Sequence, residues 1–424
     1  MIKVLHISTL IDGGAGKAAI RLHESMLKFG IDSVFVTLEN SRKKIPNHCV
    51  YQGKYIKENL DYPILSFRNL ILEKFFKKYK KQKDFYDKKN SEKLNYITPT
   101  FQNNIRSFTL FSYPYTIYDI TSTLQYKEAD IIHLHWVADF LDYESFFSKV
   151  NKPIVWTFHD ENPYLGGFHY HDDVTNNLKT HYDKESEFVE LKKRLIQTYD
   201  KMTIVSPSNW IAQKAKESDV FSGKRVQTIR NNLDYSIFKT RDKIFSRELF
   251  QLPVHKKIIL ITSYDLSIPR KGVKCVLELI NNLVSDDFLF VFAGSNLNII
   301  KSNVISVGMV TDEILLSCLY SAADYFLLPS LIDNLPNTLL ESLFCGTPVI
   351  AFKIGDFEEL FQGNDFGILV DTGDVSSLLI FLEKIKNEEI TFDRSKIVIN
   401  AKRIFSGEKI VSQYLEEYKL LLNS

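Results

Sequence analysis

Short apolar, β-branched runs recur along the chain. Each is closed by turn residues and separated from the next by a stretch with helical spacing. The front half carries "KVLHIS", "DSVFVTL", "ADIIHLHW", "KPIVWTFHD", "MTIVSPS" and "RVQTIRNN". The back half carries "KKIILITS", "FLFVFAG", "VISVGMV", "YFLLPS", "TPVIAFK" and "GILVD". Such runs predict strands buried on both faces in parallel sheets. Two series predict two doubly wound α/β domains, residues 1–240 and 241–405. The break falls near 238–254, where the strand pattern lapses, and 406–424 read as a terminal helix.

The length of 424 residues fits two hydrophobic cores. A net charge of +1 gives no global field for nucleic acid, and none is expected as a partner. Cys49, Cys275, Cys318 and Cys345 lie far apart with no C-x-x-C pair. That speaks against a zinc site or disulfide framework and fits a reducing cytoplasm. Met1 runs almost at once into strand-like sequence, so no secretory leader is expected. The apolar runs are too short to span a bilayer. Residues 54–117 break the strand–helix pattern as a basic insertion. Within them, 68–89 carry nine Lys/Arg against three acids, with apolar residues roughly at helical spacing. Two readings stay open there: a solvated surface helix, or a basic amphipathic helix on anionic lipid.

After the first strand, "GGAGKAA" contains Gly14-x-Gly16-x-x-Ala19. A dinucleotide fingerprint would pair it with Glu39 as the ribose acid. "TLID" separates the strand from the first glycine, however, and makes the loop too long for that motif. A P-loop fails because Ala18 stands where a hydroxyl is needed for Mg²⁺. What remains is a glycine loop at a helix N-terminus, able to approach an anion with bare N–H groups.

In the back half, Arg270, Lys271 and Gly272 follow a strand and open a helix. Two cations there point to an anion at the carboxyl edge of the second sheet. In "LLPSLIDNLPNTLLESLFCGTPVIAF", Asp333 and Asn334 occupy a turn and Pro336 stands where a helix begins. Glu341 follows on that helix, and Gly346-Thr347-Pro348 ends it. Carboxylates at this spacing suit the hydroxyls of sugar and ribose.

This segment resembles the signature of retaining glycosyltransferase family 4. The resemblance extends to "RKG", "FAGS", "YSAADYFLLPS", "VSPSNWIAQKA" and "GGAGKAAIRLH". "ADIIHLHWVADFLD" with "KPIVWTFHDENPYLGGFHYHDD" is similar to the branch that builds colanic-acid-type and other surface polysaccharides. Nearly the whole chain is covered except 54–105. The resemblance implies the GT-B fold, two Rossmann-like domains facing across a cleft, with the last helix packing back on the first domain. Three departures stand out. Asp333 replaces the family's first glutamate. Asp265 stands roughly where an arginine often precedes the phosphate lysine. Phe168 follows Gly166-Gly167 where many relatives of this branch carry cysteine.

The resemblance implies a hexosyltransferase acting on a UDP- or GDP-linked sugar with retention and without a metal or other cofactor. The acceptor is a saccharide, lipid-linked, met in the cytoplasm or at the inner face of the membrane. Gly14, Gly16, Arg270 and Lys271 would face the diphosphate, and charge developing there would be the main target of catalysis. Glu341 would bind ribose; Asp333 with the N–H groups of Asn334 and Leu335 would hold the donor sugar. His159 would lie beside the transferred sugar, so His159, Asp333 and Lys271 form the catalytic set. His135, Trp136, Asp160 and Tyr164 would line the acceptor side. His133, His135, His159, His169 and His171 lack metal-ligand spacing. Three other readings remain: a non-hydrolysing nucleotide-sugar epimerase, an NAD-dependent oxidoreductase and a non-catalytic sugar-binding protein.

Overall fold

The computed structural model describes residues 2–38, 41, 44–56, 110–295 and 299–423. Glu39 and the basic segment 68–89 lie outside the described residues.

The front half contributes β1 (Lys3–Ser8), β2 (Asp32–Thr37), β3 (His48–Val50), β4 (Lys54–Tyr55), β5 (Tyr118–Asp119), β6 (Ile131–Leu134), β7 (Ile154–Thr157), β8 (Met202–Ser206) and β9 (Arg225–Thr228). Seven of them form one parallel sheet in the order β3-β2-β1-β6-β7-β8-β9. β4 and β5 pair antiparallel as a separate ribbon at the two ends of the insertion. The back half contributes β10 (Lys257–Asp265), β11 (Phe288–Ser295), β12 (Val304–Gly308), β13 (Tyr325–Leu328), β14 (Val349–Phe352) and β15 (Gly367–Val370). They form a second parallel sheet in the order β12-β11-β10-β13-β14-β15. The twelve runs read from the sequence are the twelve longer strands. β3, β4 and β5, with two or three residues each, were not anticipated.

In each sheet the order reverses once, between β1 and β6 and between β10 and β13. Loops leaving two adjacent strands diverge there, opening a crevice at the carboxyl edge where such folds bind ligands. The two loops at each reversal are tied together. The Thr9 N–H donates to the Trp136 carbonyl (2.7 Å) and the Leu331 N–H to the Arg270 carbonyl (2.8 Å). The glycine loop, His135 and Trp136, Arg270 and Lys271, and the segment Asp333 to Glu341 follow these four strands, whereas His159, Asp160 and Tyr164 follow β7.

The front sheet is covered on both faces. Leu5, Ile7, Ile132, Leu134, Trp156 and Phe158 face one core. Val4, Ile131, Val155 and Val205 face the other, against Leu22 and Met26 of the helix Gly13–Lys28 and Tyr414 and Tyr418 of the helix Gly407–Asn423. Ala18, Leu22 and Met26 recur every four residues and supply the first helix's buried stripe. The tail helix buries Ile410, Val411, Tyr414, Tyr418 and Leu421 on this sheet. At about 1.5–3 kcal/mol per buried apolar side chain, that contact holds the last residues of the chain to the first domain. Glu417 adds a two-point ion pair with Arg225 on β9, both bonds 2.8 Å.

Candidate active site

The glycine loop is short in space. The helix begins at Gly13, which adopts φ +80°, and Asp12 makes no capping bond to it. A Cβ at Gly16 would lie 2.4 Å from the Ile11 carbonyl oxygen, so close packing of the turn already demands glycine there. Gly14 has open space around its Cα, and its carbonyl accepts from Asn337 Nδ2 at 2.7 Å. Asn337 is the first residue of the helix Asn337–Phe344 in the back domain, directly after Pro336. Two helix N-termini therefore meet across the cleft, each favouring negative charge.

Arg270 and Lys271 form a 3-10 turn after β10. Gly272 follows at φ +68°, where a Cβ would stand 1.8 Å from the Pro329 carbonyl oxygen. Only glycine lets this turn sit against the end of β13. Gly272→Ala should cost about 1–3 kcal/mol for the left-handed conformation and the clash it locks in. Chemical denaturation measures it, and an unchanged midpoint would show that the turn can move away.

Lys271 Nζ donates to Asp333 Oδ2, and Arg270 Nη1 stands 4.0 Å from the same oxygen. Asp333 also accepts from the Asn334 N–H (3.1 Å). Burial opposes charge on Asp333, but Lys271 and Arg270 outweigh it and hold its pKa below the ordinary carboxylate value. Arg270 packs over the Tyr170 ring, 4.8 Å from its centroid, with Nε and Nη1 buried and without a hydrogen-bond partner among the described residues. Two buried donors without hydrogen bonds, beside a lysine that shares the Asp333 carboxylate with Arg270, describe a cradle with capacity for an anion.

Glu341 is buried, with one oxygen bound to Arg21 Nη2 (2.7 Å) and the other accepting from Tyr320 OH (3.1 Å). Arg21, from the front domain, also reaches Glu313 (2.9 Å). The carboxylate assigned to ribose therefore also carries an ion pair between the domains. Sequence reasoning missed Arg21, because one arginine in an amphipathic helix reads as a surface charge. Further links cross the cleft. Asn334 Nδ2 donates to the Phe158 carbonyl (3.0 Å), and Arg230 pairs with Asp356 (2.6 Å). The first brings Asp333 and Asn334 beside His159. Leu335 is buried, and its carbonyl accepts from Asn231 Nδ2 (3.1 Å).

On the front side, His159 is half-buried at the end of β7, in a small recess with His135, Trp136, Trp156, Asp160 and Asn162. Burial pushes its pKa down to about 4 against the opposing pull of Asp160. His135 is buried behind it, with Nδ1 3.2 Å from His159 Nε2. Asp160 accepts from Trp136 Nε1 (2.8 Å) and His169 Nδ1 (2.6 Å), so both its neighbours are fixed by one carboxylate. Tyr164 is buried, its hydroxyl donating to Glu161 (2.9 Å). The loop that carries Tyr164 is held from beneath by the helix His171–Gln197. Glu185 accepts the N–H groups of Gly166 and Gly167 (both 2.6 Å), and Lys192 donates to the carbonyls of Asn162 (2.7 Å) and Leu165 (2.6 Å). A Cβ at Gly166 would lie 2.2 Å from the Glu185 carbonyl oxygen, which explains the first glycine of that pair.

Among the described residues, His6, His133 and His135 offer ring nitrogens within 4.8 Å of one another. His6 was hidden inside a strand-like run. His133 already bonds Tyr418 OH (2.6 Å) and Thr157 Oγ1 (2.8 Å), and His6 and His135 bond each other (2.8 Å). This is the hydrogen bonding of buried neutral imidazoles.

Residues 255–385 match the family model described as Glycosyl transferases group 1. The chain is 24% identical over 352 residues to the N-acetyl-alpha-D-glucosaminyl L-malate synthase of Bacillus anthracis, covering 76% of this chain and 84% of that one. It is 27% identical over 151 residues to the UDP-Gal:alpha-D-GlcNAc-diphosphoundecaprenol alpha-1,3-galactosyltransferase of Escherichia coli, covering 34% and 38%. Among solved structures it resembles the sucrose-phosphate synthase of Thermosynechococcus elongatus, with TM-score 0.65, 15% identity and full coverage of both chains. It also resembles Anabaena HepE in complex with UDP and glucose, with TM-score 0.62, 15% identity and coverage of 98% and 99%. The two parallel-sheet domains are the GT-B fold, and the family match over the back domain supports a glycosyltransferase.

Proposed function

We propose that the protein is a retaining, metal-independent glycosyltransferase of family 4. It moves a sugar from a UDP- or GDP-linked donor to a lipid-linked saccharide in surface polysaccharide biosynthesis. The observation that carries this reading is the cradle at the back-domain switch point. Arg270 presents buried Nε and Nη1 without hydrogen-bond partners beside Lys271, and Asn337 of the same domain bonds the Gly14 carbonyl of the front-domain glycine loop. A diphosphate supplies the acceptors this cradle lacks. Transfer breaks the bond between sugar C1 and the diphosphate oxygen and forms one from C1 to the acceptor oxygen. The acceptor's proton passes to the departing phosphate. Lys271 and Arg270 stabilise the charge that builds there, the role a metal plays in other transferases. Asp333 exchanges its bond to Lys271 for the hydroxyls of the donor sugar, and His159 lies beside that sugar.

The acceptor class is supported by the branch-specific front-half motifs and by the lipid-diphosphate substrate in the name of the Escherichia coli relative. No helix among the described residues is long and apolar enough to cross a membrane. Contact with the inner face of the membrane falls to the basic segment 68–89. Thermal-shift measurements with UDP, GDP and their sugars in EDTA test the donor site. A ligand at 100 times its Kd stabilises the fold by about 2.7 kcal/mol. One nucleotide family should raise the melting temperature. A shift with NAD or NADP alone would return the glycine loop to dinucleotide chemistry.

A further inference from the structure

One face of the front sheet carries polar groups inside an apolar layer. His6 on β1, His133 on β6, His135 just after it and Thr157 on β7 stand among Val4, Ile131, Val155 and Val205. His6, His133 and His135 are fully or almost fully buried. Three imidazoles lie in series. His6 Nε2 is 3.2 Å from Met26 Sδ, His6 Nδ1 is 2.8 Å from His135 Nε2, and His135 Nδ1 is 3.2 Å from His159 Nε2.

We propose that Met26, through His6 and His135, sets the tautomer of His159, so that His159 presents a bare Nδ1 to the cleft as a hydrogen-bond acceptor. The direction of the chain follows from its inner end. A thioether sulfur accepts and never donates. His6 must therefore carry its proton on Nε2, since a bare nitrogen there would set two lone pairs against each other. A neutral His6 then has a bare Nδ1, and His135 must donate to it from Nε2. That leaves His135 Nδ1 bare, so His159 donates from Nε2. One proton remains to each ring, and His159 Nδ1 has no partner among the described residues.

Neutrality is the other requirement, and burial meets it by pushing His6 and His135 well below the ordinary imidazole pKa and His159 to about 4. The surrounding groups do not interrupt the chain. His133 stacks on His135 (4.2 Å between centroids) and meets His6 at a tilt (4.7 Å), but both its nitrogens go to hydroxyls. His23 meets His6 edge-on, with its own nitrogens on Ser33 Oγ and the Pro46 carbonyl. Asp160 next to His159 is committed to Trp136, His169 and the Asn162 N–H. Met26, His6 and His135 are thus positioning residues. His159 is equipped to receive a hydroxyl proton donor and not to give one. That last role rests on the transferase reading, whereas the proton positions do not.

The test reads proton positions in the ligand-free protein, so its result is independent of any activity. Histidine is labelled with ¹⁵N, and long-range ¹H–¹⁵N correlations are recorded near neutral pH, each ring assigned by a single His→Gln variant. His6, His135 and His159 should all show the Nε2–H pattern. Met26→Leu keeps the bulk and removes the acceptor, and should abolish the single pattern at His159 by admitting the Nδ1–H form. An Nδ1–H or charged His159 in the wild type would overturn the proposal. So would an unchanged His159 in a folded Met26→Leu protein. Stoichiometric uptake of added zinc with loss of the His6 and His135 signals would replace the chain with a metal site. If Met26→Leu does not fold, the wild-type spectrum alone decides the tautomers.

Discussion

Lys271→Ala should lower kcat for glycosyl transfer by about 10²–10³-fold, the loss typical of removing one fixed donor from a developing oxyanion. Lys271 lies at the reversal point of the back sheet, on a turn that Gly272 and the Leu331–Arg270 bond hold against β13. Its ammonium therefore needs little reorganisation when charge appears on the leaving phosphate. The same substitution removes the nearest cation from Asp333 and leaves Arg270 at 4.0 Å as its remaining partner. Two readouts follow. Initial rates with the nucleotide sugar found by thermal shift should fall, and stabilisation by the bare nucleoside diphosphate should shrink. Because Asp333 keeps Arg270 and the Asn334 N–H, the variant should still fold. A rate within a few-fold of wild type would remove Lys271 from the chemistry and the phosphate cradle with it.

The sequence exposed the strands because parallel strands covered by helices are largely apolar and β-branched, and twelve such runs stand out in the chain. It hid whatever depends on strand order. Nothing local in "KVLHIS" or "ADIIHLHW" says that β1 and β6 are neighbours, yet that adjacency brings His6 against His133 and creates the crevice. The edge strand β3 and the ribbon strands β4 and β5 are too short to show an alternation. Arg21 and Glu341 are 320 residues apart in the chain and meet across the two domains. Their ion pair gives Glu341 a second, structural duty that a motif cannot reveal. Asp160 and Tyr164 stood out as polar groups after a strand, but their hydrogen bonds run inward, to His169, Trp136 and Glu161. Spacing places a residue near a site; it does not say which way the side chain is tied.

The buried histidines also fix how the protein should respond to acid. Burial lowers the pKa of His6, His133 and His135 well below the imidazole value, and that of His23 to about 4. The unfolded chain takes up protons at these positions near the ordinary pKa of about 6.5, where the folded chain cannot. The unfolded state then binds more protons, so stability rises with pH. The contribution is fully present above the unfolded pKa and is lost as pH falls from there toward the folded values. Each group adds a limiting slope of about 1.4 kcal/mol per pH unit, so four together approach roughly 5 kcal/mol per unit. Set against a stability on the order of 5–15 kcal/mol, that slope should unfold the front domain cooperatively at about pH 5. Asp333 acts in a lower window. Its depressed pKa supports the fold above the carboxylate range and is lost only as acid titrates through the lowered value. Far-UV circular dichroism against pH separates the two. A transition confined to the carboxylate range would mean that the imidazole cluster admits protons without unfolding. The expected result is loss of structure before the carboxylates titrate.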